Sequence, residues 1–135
     1  MEQKGSEGHK ASAIVKKHFP PVLKELQSEI LTTPVEALTK AFKQVNEMLI
    51  EDPSVDSYMS GTTAVIALLV QTRLIVAHTG DSRLIVVESV DGGVKGVQVT
   101  VDHTCQVATE YARVESKGAR IEQYLVENKS EGFLN

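Results

Sequence analysis

The sequence predicts an α+β domain in which antiparallel strands are flanked by helices, and three observations carry that prediction. Residues 8–51 hold two apolar stripes at helical spacing. Residues 64–77 hold two Val/Ile/Leu-rich runs separated by a short polar break, and alternating segments joined by Gly- and Asp-containing turns follow. Dense β-branched runs bounded by turn residues read as strands, and short polar joins between them read as hairpins.

Each element has a local cause. Ala11, Ile14, Val15, His18, Phe19, Val22, Leu23, Leu26 and Ile30 recur at helical spacing over residues 8–31. Pro20-Pro21 lies within this stripe and predicts a kink or two abutting helices there, since proline removes a donor and crowds the preceding turn. Thr33-Pro34-Val35-Glu36 predicts a helix start, with Thr33 capping, Pro34 at the first position and Glu36 completing a capping box. That helix carries Leu38, Ala41, Phe42, Val45 and Leu49 on one side and stops before Asp52-Pro53.

Ala64–Val70 and Leu74–Ala77 predict a hairpin through Gln71-Thr72-Arg73, and Gly80-Asp81 turns the chain into a third strand over Arg83–Glu88. Gly61 to Ala64 are small, so a neighbouring element can approach closely. Val94–Val101 alternates and predicts a fourth strand with Gly96 as a bulge. Thr104 or Gln106 opens a helix bearing Val107, Tyr111 and Val114, which Gly118 ends in a left-handed cap. Arg120–Val126 reads as a fifth strand, and the tail to Asn135 is left unassigned.

Composition narrows the class without naming a function. At 135 residues the chain holds one domain with room for a core, and its 41% hydrophobic content is ordinary for a globular protein. No apolar run approaches the ~20 residues that cross a bilayer, and the polar start does not resemble a signal peptide. A net charge of −4 without a basic cluster argues against a nucleic-acid or membrane partner. The single Cys105 excludes an internal disulfide and predicts a reducing, cytoplasmic setting.

The block Ser60-Gly61-Thr62-Thr63-Ala64, its apolar strand, and Gly80-Asp81-Ser82-Arg83 together resemble the type 2C, metal-dependent Ser/Thr protein phosphatases. Asp102-His103, with Glu110, Arg113, Gly118 and Ala119 after it, is similar to another segment of that family. Gly5 to Ser12 looks like the residues just after the family's Asp-Gly-His-Gly motif. The resemblance spans residues 1–135 as a single, incomplete domain and implies part of an α-β-β-α sandwich. It implies dephosphorylation of phosphoproteins, assisted by two Mn or Mg ions that activate a water.

Carboxylate oxygens suit such hard cations, and a pair of them needs several donors. The positions matching Asp-Gly-His are Glu2, Gln3 and Lys4, and an ammonium offers no acceptor to a metal. Asp81 is the one family metal residue that the resemblance carries over; the simpler role for it is to stabilise its turn with Ser82 and Arg83. No catalytic residue is assigned. The expectation is therefore an inactive piece of a phosphatase, with a non-catalytic pseudophosphatase or interaction module as the alternative.

Other polar residues carry weaker signals. His9, His18, His78 and His103 lack the spacing of a zinc site, and His18 reads as a half-buried packing residue. His103 with Cys105 forms a ligand-like pair but reads better as a helix lead-in, and Cys105 has no recognisable activating neighbour. Ser60, Thr62 and Thr63 lack a nucleophile elbow. Glu110, Arg113 and Glu115 read as a solvated helix face. A sheet lacking later strands exposes apolar edges, which predicts a homo-oligomer.

Overall fold

The computed structural model describes residues 3–122. Its elements run β1 (Gln3–Lys4), α1 (Gly8–Glu25), α2 (Gln27–Thr32), α3 (Pro34–Glu51), β2 (Gly61–Thr62), β3 (Ala64–Val70), β4 (Arg73–Thr79), β5 (Ile85–Val90), β6 (Gly93–Gln98) and α4 (Ala108–Ser116). The class is α+β, as the sequence predicts. Chain contacts divide it into two compact units, residues 1–103 and residues 104–135.

The first unit is built on its helices. Ala11, Val15, Phe19, Val22, Leu26 and Ile30 form one buried stripe, and Ala37, Leu38, Ala41, Val45 and Leu49 form the facing one. Small Ala11, Ala37 and Ala41, all fully buried, let backbones approach, and the larger side chains fill the space between. Phe19 meets Phe42 edge to face at a centroid distance of 4.9 Å. Ile66, Leu68 and Ile75 of the β3–β4 hairpin pack on the same core. The stripe is therefore what ties sheet to helices.

Two local expectations for the helices need correction. The break falls at Leu26, between α1 and α2, while Pro20 and Pro21 lie inside α1. Both prolines are exposed, so their rings sit away from the core and the buried positions on either side hold the helix together. Thr33 does not cap α3 through its side chain; its hydroxyl instead donates to the Glu29 carbonyl at 3.4 Å, a competing local bond open to threonine. Pro34 does occupy the first turn of α3, and the helix ends at Glu51 as expected.

Among the described residues the strands form three antiparallel pairs, β1–β2, β3–β4 and β5–β6, in place of one continuous sheet. In β3–β4 the register runs from Ala64 opposite Thr79 to Val70 opposite Arg73, so the turn is Gln71-Thr72 and Arg73 belongs to the strand. Gln71 adopts φ 54°, the left-handed conformation that a two-residue hairpin requires. The third strand starts at Ile85, two residues later than expected. Arg83 is drawn off by Asp102, and the Leu84 N–H donates to the Thr100 hydroxyl at 3.0 Å before the ladder begins. The fourth strand ends at Gln98, and Gly96 pairs in register with Val87, so the expected bulge is absent.

In the second unit, α4 begins at Ala108 after a turn closed by the Val107 N–H on the Thr104 carbonyl. The helix thus opens a little later than predicted. Gly118 takes φ 76° and donates to the Glu115 carbonyl at 2.9 Å, as a left-handed cap does. Arg113 grips Glu110 through two bonds of 2.6 Å along the helix. The expected fifth strand over 120–126 lies mostly outside the described residues, and residues 120–122 form no strand.

Candidate functional site

Residues 60–64 act as a spine that brings distant loops together. Ser60 is buried, and its hydroxyl accepts the Glu7 N–H at 3.1 Å just before α1. Gly61 and Thr62 pair with Lys4 and Gln3. Thr63 is buried and shares a 2.6 Å hydrogen bond with the Ser82 hydroxyl. Ala64 enters the core. The small residues seen in sequence are thus needed for approach from both sides.

Two glycines make this possible. Gly5 has φ 78°, and a Cβ there would stand 2.1 Å from the Met59 carbonyl oxygen. Gly80 has φ 90°, and a Cβ there would stand 2.5 Å from Thr63 Cγ2. Only a residue without a side chain fits either position. The entry to α1 is fastened further by Glu7, whose carboxylate accepts the Asp56 N–H at 2.7 Å and the Lys10 ammonium at 2.6 Å. The Asp56 bond is the main reason that the Glu7 carboxyl sits below its ordinary value, with Lys10 second.

Around Gly80 the polar groups converge. The His103 N–H donates to the Gly80 carbonyl at 3.0 Å, and His103 stacks on His78 at 4.4 Å. Desolvation, followed by repulsion from His103, pushes His78 below the usual imidazole value. Its Nδ1 is buried without a hydrogen-bond partner. Arg83 binds Asp102 through three contacts of 2.8–3.0 Å, a fork-on-carboxylate arrangement. Asp81 lies near enough for its charge to act on Asp102. Its Oδ2 accepts the Lys4 ammonium at 3.3 Å, across 77 positions of sequence.

The Arg83 hydrogen bonds are the leading cause of the depressed Asp102 carboxyl, below its ordinary 3.8. A carboxyl depressed on folding adds stability that is complete above the unfolded value and is lost as pH falls through the lower folded value. The window is therefore acidic, starting near 3.8 and running downward. In a carbon-detected NMR titration, Arg83→Gln should raise the Asp102 midpoint; an unchanged midpoint would refute the pairing as its cause.

The sequence-singled residues divide clearly. Ser60, Thr63, Asp81, Ser82, Arg83, Asp102, His78 and His103 belong to this one region. His9 is exposed at the start of α1, and His18 is half-buried on the helix, as expected. Cys105 is a free, exposed thiol. The Arg83–Asp102 clamp, the His78–His103 stack and the Lys4–Asp81 pair were not legible in advance. Each depends on long-range juxtaposition, and spacing in sequence carries no signal of it.

The whole of residues 1–135 matches the model of the Protein phosphatase 2C family. The chain belongs to the protein phosphatase 2C family. It is 36% identical over 116 residues to Probable protein phosphatase 2C 17 of Arabidopsis thaliana, covering 84% of this chain and 39% of that relative. It is 39% identical over 87 residues to Probable protein phosphatase 2C 12 of Oryza sativa, covering 64% and 22%. With Protein phosphatase 1F of Rattus norvegicus the identity is 36% over 92 residues, covering 68% and 20%. This protein phosphatase 2C chain therefore spans well under half of each of these relatives. No solved structure matches it.

Among the described residues, the donors around Asp81 do not fit the family's metal pair. Asp81 offers a carboxylate, but an ammonium stands on it, and Asp102 is taken by Arg83. Among the described residues no three His, Cys, Asp or Glu side chains gather as a metal site. Two bridged divalent ions need more oxygen donors than this. Glu2 lies outside the described residues. No helix among the described residues is long and apolar enough to cross a membrane.

Proposed function

We propose that this chain is a scaffold piece of a type 2C protein Ser/Thr phosphatase whose parent reaction is Mn- or Mg-dependent dephosphorylation of phosphoproteins, and that the 135-residue chain by itself is inactive. The observation behind it is the Lys4 ammonium at 3.3 Å from Asp81, which puts a fixed cation where the family's chemistry calls for coordinated metal. Asp81 would stand at the position that helps hold an accessory metal in the family, a role open to it only where the Lys4 ammonium is displaced. The two compact units would then be parts of one phosphatase domain. The protein would work in a reducing, cytoplasmic compartment, consistent with an unpaired, exposed Cys105.

A second reading, a non-catalytic pseudophosphatase or interaction module, rests on the same Lys4 in place of a family histidine. The parent reading frame separates the two. Asp-Gly-His-Gly in frame upstream, with Asp-Gly and Asp-Asn motifs downstream, favours the enzyme; a mature polypeptide bounded by Met1 and Asn135 favours the module.

Each described strand has one partner, so the pairs have open edges. Leu69, Ile85, Val87 and Val94 are 57–75% exposed beside them. Open edges with apolar neighbours favour strand pairing between copies, so the isolated chain should self-associate. One preparation tests both statements. Hydrolysis of p-nitrophenyl phosphate in millimolar Mn should stay at the buffer rate, and light scattering should give a mass above 14.7 kDa that rises with concentration. Mn-dependent turnover would overturn the inactivity, and a monomer at all concentrations would overturn the association.

A further inference from the structure

We propose that Lys4 is the resident counter-cation of Asp81, a built-in ammonium that takes the place of a divalent ion at this carboxylate and keeps such ions away. This deepens the proposed function and rests on its reading of Asp81 as the retained metal position. Three features of the fold carry it.

The first is that the position of Lys4 is set by the backbone. Lys4 pairs with Gly61 in the β1–β2 ladder, and the next residue, Gly5, is wedged against Met59 and Ser60 so closely that no Cβ would fit. Two residues further on, Glu7 is tied to Ser60 through its N–H and to Asp56 through its carboxylate. The stem of Lys4 therefore starts from a fixed backbone point within reach of Asp81.

The second is that Asp81 is fixed from the other side. Gly80 rests on Thr63, and the Ser82 hydroxyl bonds the Thr63 hydroxyl at 2.6 Å. The same spine thus holds both partners, with Gly61 pairing Lys4 and Thr63 seating the Asp81 turn.

The third is the allotment of charge. Asp81 and Asp102 are neighbouring carboxylates, and the Arg83 guanidinium is committed to Asp102 through both of its oxygens. The ammonium on Asp81 comes from Lys4. With a cation already on each carboxylate, a divalent ion approaching Asp81 meets positive charge within a few ångströms and must displace a tethered competitor. An ammonium has no lone pair with which to coordinate, so it replaces the ion and cannot help bind it.

The test is paramagnetic broadening by Mn2+ in amide NMR spectra of the full 135-residue chain, a readout independent of phosphatase activity. In the unchanged protein, Gly80, Asp81 and Ser82 should broaden no more than the exposed control Asp91. In Lys4→Met and Lys4→Gln, the same three amides should broaden several-fold more than Asp91, and adding Asp81→Asn should abolish the gain. Lys4→Arg keeps the charge and should stay silent. Lys4 is half-exposed at the surface, so dispersed spectra are expected for every variant.

Strong broadening at Asp81 in the unchanged chain would overturn the proposal, and so would neutral Lys4 variants that remain silent. The outcomes separate from those of the proposed function. Mn-dependent hydrolysis by the unchanged chain with a silent Asp81 would sink the inactivity and leave the Lys4–Asp81 pairing standing. A strongly broadened Asp81 without hydrolysis would do the reverse.

Discussion

Gly80→Ala is expected to lower the unfolding free energy by about 2–4 kcal/mol, the sum of a left-handed conformation forced on a residue with a Cβ and of overpacking against a filled neighbour. The new methyl would lie 2.5 Å from Thr63 Cγ2 and 2.9 Å from Thr63 Cβ, and Thr63 is only 4% exposed, so it has little room to retreat. The damage should spread, because Thr63 and Gly80 seat the loop that carries Asp81, Ser82 and Arg83. Thr63→Ser removes the nearer clashing carbon and keeps the hydroxyl that bonds Ser82. Combined with Gly80→Ala it should recover part of the loss, since contacting residues are not additive. Chemical denaturation of the four proteins checks this. A Gly80→Ala protein as stable as the original would show that the turn does not rest on Thr63.

The other large effect is expected at Phe19. Phe19→Ala should remove about 3–5 kcal/mol, against a total of about 5–15 kcal/mol for an ordinary domain. Phe19 is 8% exposed and is the largest member of the α1 stripe, packed edge to face on Phe42 of α3. It also lines a partly open pocket of about 60 Å³ with Val15, Val45 and Leu49, so truncation would widen space that is already there. Phe19→Leu, which keeps most of the volume, should cost less than about 1.5 kcal/mol. Thermal unfolding followed by circular dichroism distinguishes the two. If alanine and leucine lowered the midpoint equally, packing at this position would not be what holds α1 to α3.

These two sites also show how far local sequence reaches. The α1 stripe from Ala11 to Ile30 and the α3 stripe from Ala37 to Leu49 were legible because a helix repeats every 3.6 residues, so burial on one face writes a period into the chain. The β3–β4 hairpin was legible for a similar reason, with apolar runs on both sides of a two-residue turn. Boundaries were less so. Thr33 carries the chemistry of a cap yet bonds backward to Glu29, and Pro20-Pro21 carries the chemistry of a break yet lies within α1. Thr33 was decided by a competing bond four residues back, and the prolines by the buried Phe19 and Val22 on either side of them in α1.

The candidate site followed the same division. Ser60 to Ala64 and Gly80 to Arg83 were recognisable as motifs, and the family they indicate is the one that residues 1–135 match. What each motif residue touches was not recognisable. Thr63 under Gly80, Arg83 across to Asp102, His78 against His103 and Lys4 on Asp81 all join residues from 17 to 77 positions apart.

By itself, then, the order of residues determined the helices, the hairpins and the family, since periodicity, turn chemistry and residue type are local properties. Only the folded chain decided which carboxylate received which cation. Hydrogen bonds and ion pairs act over about 3 Å, and no spacing along the chain reveals which groups folding will bring that close.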